Sequence, residues 1–502
     1  MSLGAPALVI AIITMVAFAA IGIGYTRRRK QVTVEDFISA RGSIGGISTT
    51  ATLVASIMGV WILFAPAEAA TWAGLIAVIG YGVGQAAPIL AFVIVGPRMR
   101  QVMPQGHSLS EFAWYRYGRL MYGVTLAIIV FYMFVFLAAE MGAIARAVRL
   151  ITDAPLLLTL LIVGGATLAY TVYGGLRASI FTDNLQFPLI VPLMVAVLVA
   201  TLVEIGGWGP AFGAVREVSP ELLSATHQPG IELAITLIIA ITAANLFHQG
   251  FWQRVYASKS DADLRRGFLS AGLIVIPLVV AGGLFGLWAV GQGLSGPSSD
   301  PIALFRLALD VLPDFLVVVL MVLALVLVMS SMDTLLNGIA SVFTSDLLRL
   351  RPQLSGTRLL ASSRLITVAF IVPAIVVGFF FDSVLYLFFI ADLACAGAVV
   401  PVFLGLFVGR LSGRAAAVST VLGIGAGALF FPTKSLGGWW TWEGLTDTWH
   451  VLASGNTLAS FLIAVVVSTV AALGFVLARS LGQRSQSYDF GELASRVRLI
   501  EG

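Results

Sequence analysis

The stretch FLVVVLMVLALVLVMSSMDTLLNGIASVFTSDLL, residues 315–348, decides how the chain is read. Its first half is a near-continuous apolar run, long enough to cross a bilayer at about 1.5 Å per helical residue. Polar groups then appear where lipid disfavours them: Ser330, Ser331, Asp333, Thr334, Asn337 and Ser341. On a helix, Ser330, Asp333, Thr334, Asn337 and Ser341 share one face. Hydroxyls and a carboxylate are hard oxygen ligands, suited to a small cation or a proton. The competing reading is that they hydrogen-bond neighbouring helices and serve as packing contacts. Asp333 shifts the balance toward an ion path, because an intramembrane carboxylate is costly.

Composition agrees with a membrane setting. Of 502 residues, 59% are hydrophobic and 11% charged, against about 25% charged in soluble chains. The single cysteine, Cys395, excludes a disulfide framework, and four scattered histidines lack zinc spacing. No cofactor motif or nucleophile–base constellation appears, so an enzyme is disfavoured. The formal charge of +4 fits membrane topology better than nucleic-acid binding. The first apolar run, Ala5 to Tyr25, has no basic segment before it and is followed by Arg27, Arg28, Arg29 and Lys30; it reads as a retained span.

The fold class expected is an all-α polytopic membrane protein. Apolar stretches predict thirteen spans, near 5–25, 46–71, 73–96, 121–146, 155–174, 184–206, 231–252, 267–291, 314–348, 362–381, 383–409, 414–432 and 457–479. The basic loop after the first span fixes that end in the cytoplasm, so the N-terminus lies outside and the C-terminus inside. All but five of the 29 Lys and Arg residues are then cytoplasmic; the exceptions are Arg146, Arg149, Arg216, Arg306 and Lys434. The segment 107–119 predicts a short amphipathic helix on the cytoplasmic face. The external stretch SLGGWWTWEGLTDTWH (435–450) reads as an interfacial aromatic belt.

Two spans carry internal breaks. The second is interrupted at Gly59 and Pro66, and the seventh carries Asn245, His248, Gln249 and Gly250. Broken helices expose backbone carbonyls that bind cations in transporters. The breaks lie five spans apart, as expected for inverted repeats over 46–206 and 231–409, preceded by an extra helix in 1–30. Two further helices in 414–479 and a cytoplasmic tail over 480–502 complete the division. Asn245 and Gln249 sit at i and i+4 and face a polar cavity on this reading; His248 is either a gating and packing residue or a proton acceptor. Asp183 either caps a helix or serves an ion. Glu140 and Asp392 are further intramembrane carboxylates with no assigned role.

Three motifs then carry a resemblance. YTVYGGLRASIFTDNLQF (170–187), FWQRVYASKS (251–260) and MSSMDTLLNGIASVFTSDLL (329–348) resemble, in order, signature segments of the sodium:solute symporter family. That resemblance implies a leucine-transporter-like fold and sodium-coupled import of a small polar organic solute by alternating access. It also implies a sodium site from the carbonyls of Ala55, Met58 and Leu327 and the hydroxyls of Ser330 and Ser331. A second cation or proton site would fall at Asp183, Asp333 and Thr334. Trp61 matches a tryptophan of the family's proline carriers, but Ile57 and Gln249 stand where those carriers have aspartate and proline. The substrate set suggested is Trp61, Asn245 and Gln249, for proline, another zwitterion, a carboxylate or a urea-like amide. A proton-coupled carrier of the same fold and a transporter-like sensor are the alternatives. The expected location is the plasma or inner membrane, with solute, sodium and lipid as partners and neither nucleic acid nor an obligate protein among them.

Overall fold

The computed structural model describes residues 4–28, 33–350, 356–381, 383–432, 456–481 and 488–497. Every regular element within them is helical: α1 (Gly4–Arg27), α2 (Val34–Ile38), α3 (Gly46–Ile57), a 3₁₀ turn (Val60–Leu63), α4 (Ala65–Val102), α5 (Leu109–Tyr117), α6 (Arg119–Thr152) and α7 (Leu156–Glu204). There follow α8 (Trp208–Val218), a 3₁₀ turn (Pro220–Leu223), α9 (Gln228–Leu246), α10 (Gln249–Ala257), α11 (Asp261–Gly291), α12 (Ala303–Val311), α13 (Asp314–Leu350), α14 (Gly356–Phe380), α15 (Val384–Phe403), a 3₁₀ turn (Leu404–Leu406), α16 (Gly413–Ala428), α17 (Thr457–Leu481) and α18 (Phe490–Arg496).

Among the described residues ten helices are long and apolar enough to cross a membrane. The spans expected at 46–71, 155–174 and 414–432 fall on shorter helices: Gly46–Ile57, Leu156–Ala169 and Gly413–Ala428. Local backbone breaks interrupt the first two. The second span stops at Ile57 and resumes only at Ala65, where Pro66 suits the first helical turn. In α7, Gly175 sits at φ 58°, and a Cβ there would lie 2.4 Å from the Phe37 ring. Only glycine combines that backbone with that approach. Gly74, at φ 73°, marks the turn between the second and third expected spans in the same way.

Burial separates the bundle's centre from its periphery. The most apolar windows of α11 and α13 are each 72% buried, against 28% for α1 and α14 and 22% for α17. The outer helices expose large aliphatic side chains such as Ile13, Leu365 and Val470, as a lipid-facing surface requires. The stretch that opened the reading is thus the central helix.

At one end of the bundle, the chain before α3 pairs with the chain after α10. Ile44 and Ser258 form a bridge, and the Lys259 amide donates to the Ile44 carbonyl at 2.9 Å. The segment expected as a surface amphipathic helix is α5, and it packs inward instead. Phe112, Arg116 and Tyr117 are buried; Arg116 donates to the carbonyls of Gly405 (3.1 Å) and Val408 (2.8 Å), and the Tyr117 hydroxyl to that of Pro401 (2.7 Å). Those carbonyls follow the Pro401 region of α15, where helical bonding is incomplete, so a polar side chain is worth more buried there than in solvent. The tryptophan-rich stretch expected as an aromatic belt lies outside the described residues.

Candidate functional site

The site begins with the break between α3 and α4. The Gly59 amide, which would continue α3 by bonding the Ala55 carbonyl, turns to the Ile57 carbonyl at 2.9 Å. The Ile62 amide bonds Gly59 rather than Met58. The Val60 and Trp61 amides leave the backbone altogether and donate to Glu140 of α6, at 2.9 and 3.1 Å. The helical bonds that would have closed on the Ala55 and Met58 carbonyls are therefore directed elsewhere. Gly59 is required here: a Cβ would fall 2.3 Å from a Glu140 carboxylate oxygen.

Opposite this break stands the polar face of α13. The Ser331 hydroxyl donates to Glu140 at 2.5 Å, and Ser330 donates to Asp183 of α7, also at 2.5 Å. Asp183 accepts two further bonds, from Thr52 of α3 (2.5 Å) and from Arg254 of α10 (2.9 Å). Arg254 also donates to Thr334 at 2.9 Å and, through Nε, to Thr52 at 3.2 Å. Asp333 accepts from Ser179 (2.7 Å) and Thr334 (3.3 Å). All these side chains are buried. Leu327 and Met58 meet around one small apolar pocket, so the residues of the expected sodium set lie on facing segments of α3 and α13.

Two features depart from expectation. Each site serine already donates to a carboxylate, so the hydroxyls are not surrounded by neutral groups alone. Asp183 is ion-paired with a buried guanidinium, both side chains fully buried, so a second cation at Asp183, Asp333 and Thr334 would share its space with Arg254. Arg254 entered the sequence reading only as part of a motif; a basic residue shortly after Phe251 and Trp252 was the available signal.

Trp61 leads into a small cavity lined by Trp61, Tyr81, Gln85, Tyr132, Phe136, Ile241, Ala244, Asn245, Phe388 and Asp392. Trp61 stacks on Tyr81, ring centres 5.6 Å apart, and meets Phe388 edge-on at 6.3 Å. Its indole N–H donates to the Ile57 carbonyl at 3.0 Å, and the Tyr132 hydroxyl donates to Asn245 Oδ1 at 3.0 Å. The structure thus brings together Trp61 and Asn245 but not Gln249. As the first residue of α10, directly after the α9–α10 interruption, Gln249 points away, donating to the His107 carbonyl at 2.6 Å and to Ser341 at 3.3 Å. An i, i+4 spacing shares a face only on one continuous helix, and the interruption at Phe247–His248 breaks that register. His248 caps α10, accepting the Gly250 amide at 3.0 Å, amid the rings of Tyr132, Phe136 and Phe251. That is the packing role. Gln85, Tyr81 and Tyr132 were not singled out from sequence; Gln85, in the apolar run YGVGQAAP, was the legible signal.

Gln249 connects the seventh-span break to a charged tie at the bundle's end. His107 Nε2 lies 2.9 Å from Glu35, and Nδ1 lies 3.4 Å from Glu111. Arg41 binds Glu35 at 2.9 Å and, through its remaining donors, the carbonyls of Pro104 and Gly106. Burial opposes the charged form of His107, yet the hydrogen bonds and charges of Glu111 and Glu35 outweigh it and lift the imidazole to about 9. Burial likewise opposes the Glu35 carboxylate, but His107, Ser39 and Arg41 bring it down to about 2.

A multi-pass helical carrier is the class these features define: a broken helix facing a hydroxyl-lined central helix, beside a buried polar-and-aromatic cavity. The comparison with known proteins makes it specific. Residues 37–423 match the model of the sodium:solute symporter family, and the chain belongs to that family. It is 30% identical over 451 residues to a spermidine transporter of Candida albicans, covering 88% of this chain and 83% of that protein. It is 23% identical over 448 residues to the urea active transporter of Saccharomyces cerevisiae, covering 82% of this chain and 60% of the yeast protein. The fold is that of a substrate-bound, outward-open Na⁺-coupled sialic acid symporter, with TM-score 0.74 at 16% identity over 96% of this chain and 99% of that one. The leucine-transporter-like architecture and the absence of an enzymatic role expected from sequence follow from this membership.

Proposed function

We propose that the protein is a sodium-coupled symporter that imports a small nitrogen-bearing organic solute by alternating access. The observation that carries the reading is the freed carbonyl pair at the α3 break, placed against Ser330 and Ser331 of α13. A hydroxyl that donates its proton to a carboxylate keeps its lone pairs, and the carboxylate polarises it toward a cation. Glu140 behind Ser331 and Asp183 behind Ser330 therefore strengthen a monovalent site built from Ala55, Met58, Leu327, Ser330 and Ser331. Arg254 already compensates Asp183, which favours one sodium rather than two. The solute would occupy the cavity bounded by Trp61 and Asn245. The spermidine and urea carried by the named relatives support a nitrogenous solute.

The same proposal includes thirteen crossings with the N-terminus outside, supported by the distribution of Lys and Arg, inverted repeats over 46–206 and 231–409, supported by the two interrupted spans five apart, and residence in the plasma or inner membrane. The test is uptake into proteoliposomes under separately imposed sodium and proton gradients, with spermidine, putrescine, urea and proline as solutes. An inward sodium gradient should drive accumulation of at least one of them. Uptake that follows only the proton gradient would overturn the sodium assignment.

A further inference from the structure

The names of the relatives leave open whether the solute is a cation or a neutral amide; the cavity distinguishes them. Asp392 of α15 lines it, 4% exposed. Among the described residues its carboxylate has neither a hydrogen-bond partner nor an ion pair, while Glu140 and Asp183 have three partners each. A lone ionised carboxylate in apolar surroundings is costly unless a proton or a cation neutralises it, and an organic cation is the neutraliser a solute can bring. Trp61, Tyr81, Tyr132, Phe136 and Phe388 supply five aromatic rings around the same space. Ring faces attract ammonium groups, and most strongly where water is excluded. The N–H of Trp61 and the O–H of Tyr132 are committed to protein acceptors, so these residues present π surface and oxygen lone pairs rather than donors.

The cavity also lacks what an anion would need. None of its lining residues is Lys or Arg. Broken-helix carriers commonly receive an anionic solute group at the freed amides of the break. Here those amides, on Val60 and Trp61, are filled by the protein's own Glu140. A solute carboxylate would meet Asp392 without a compensating donor, which disfavours amino acids, other zwitterions and carboxylates.

We propose that this cavity selects an organic ammonium solute bearing no carboxylate, with Asp392 as its counter-ion and the five rings as its cage. Gln85 and Asn245 then serve the remaining polar N–H groups of the solute. This deepens the proposed symport reading, since it assumes that the cavity is the solute site.

The test is equilibrium binding to the purified full-length protein at constant sodium, read by tryptophan fluorescence and thermal shift, with putrescine, choline, urea and proline as probes. At least one of the two amines should bind more tightly than urea and proline. Asp392→Asn should weaken amine binding at least thirtyfold, Asp392→Glu should restore most of it, and weak urea binding should not change. Phe388→Leu, which keeps every charge, should weaken choline about tenfold and serves if Asp392→Asn fails to fold. Tighter binding of urea or proline than of both amines, or an Asp392→Asn protein that binds amines as wild type does, would overturn the proposal. Because sodium is held constant, failure of sodium-driven uptake would sink the coupling assignment and leave this result intact.

Discussion

Replacing Ser331 by alanine isolates the hydroxyl on which the proposed ion site depends. In the structure that hydroxyl donates to Glu140 at 2.5 Å, while Glu140 also holds the Val60 and Trp61 amides. Alanine removes one of three donors and leaves the two that shape the break, so Ser331→Ala should fold. A hydrogen bond to a charged group contributes about 1.5–3 kcal/mol, and the contact of the same oxygen with a cation is of the same charge-assisted kind. At about 1.4 kcal/mol per tenfold, losing that contact should raise the sodium concentration for half-maximal uptake roughly ten- to hundredfold. Maximal uptake at saturating sodium should change much less, because the solute cavity is untouched. The assay is initial uptake against sodium concentration at fixed solute and pH, paired with detergent melting to confirm folding. Ser331→Thr, which keeps the oxygen, should lie near wild type. A Ser331→Ala activation curve that overlays wild type would refute the assignment, as would a threonine variant that behaves like alanine.

Two further outcomes follow from the buried charges and the Glu35–His107 tie. Arg254→Ala strands Asp183 without a counter-charge and should cost about 3–5 kcal/mol of stability, read as a lowered melting temperature; the double variant Asp183→Asn, Arg254→Gln should recover much of the loss. A single variant that melts with wild type would mean that the pair contributes nothing. The Glu35–His107 tie should loosen in alkali. His107, lifted from 6.5 to about 9, contributes fully below 6.5 and loses that contribution as pH rises through 9. Glu35, lowered from 4.5 to about 2, contributes above 4.5 and loses it only as pH falls through 2. Hydrogen exchange in residues 33–45 and 105–117, corrected for intrinsic rate, should therefore accelerate between about pH 7 and about pH 9.5. His107→Gln should remove that dependence, and an unchanged slope would show that the tie does not titrate there.

What the sequence made legible was whatever depends on continuous local pattern. The central helix, its polar face, and the break at Gly59 with Pro66 beyond it all follow from apolar runs and the positions of Gly and Pro. Partnership across the bundle did not follow. Nothing local in Arg254 says that its guanidinium meets Asp183, 71 residues earlier. Nor does anything in Glu140 say that it receives amides from an unwound turn 80 residues before it. Gln249 was misplaced because helical register was carried through an interruption that had itself been recognised. Once α9 ends at Leu246, spacing across the gap no longer reports a shared face. The cage escaped notice because its rings come one or two from each of several helices, and an isolated aromatic in an apolar run resembles any other core residue.

The distribution of compensation among the buried carboxylates bears on how two solutes come to travel together. Asp183 is neutralised by Arg254, whereas Glu140 is stabilised by three neutral donors and Asp392 by none. On the proposed assignments a sodium ion beside Glu140 and an ammonium beside Asp392 each remove one uncompensated charge. Either ligand alone leaves the other carboxylate unpaired in surroundings where charge is expensive. Sealing the cavity excludes water and sharpens that penalty, so the doubly loaded carrier is the form whose core closes at least electrostatic cost. Coupling then requires no contact between the two ligands: the α3 break supplies the ion site and Trp61 of the cage from adjacent residues, and a shared demand for neutrality before closure links their occupancy. The two sites also differ in what vacancy leaves behind, since Glu140 keeps its three donors when sodium leaves, whereas Asp392 has no hydrogen-bond partner among the described residues and only a proton or another cation neutralises it.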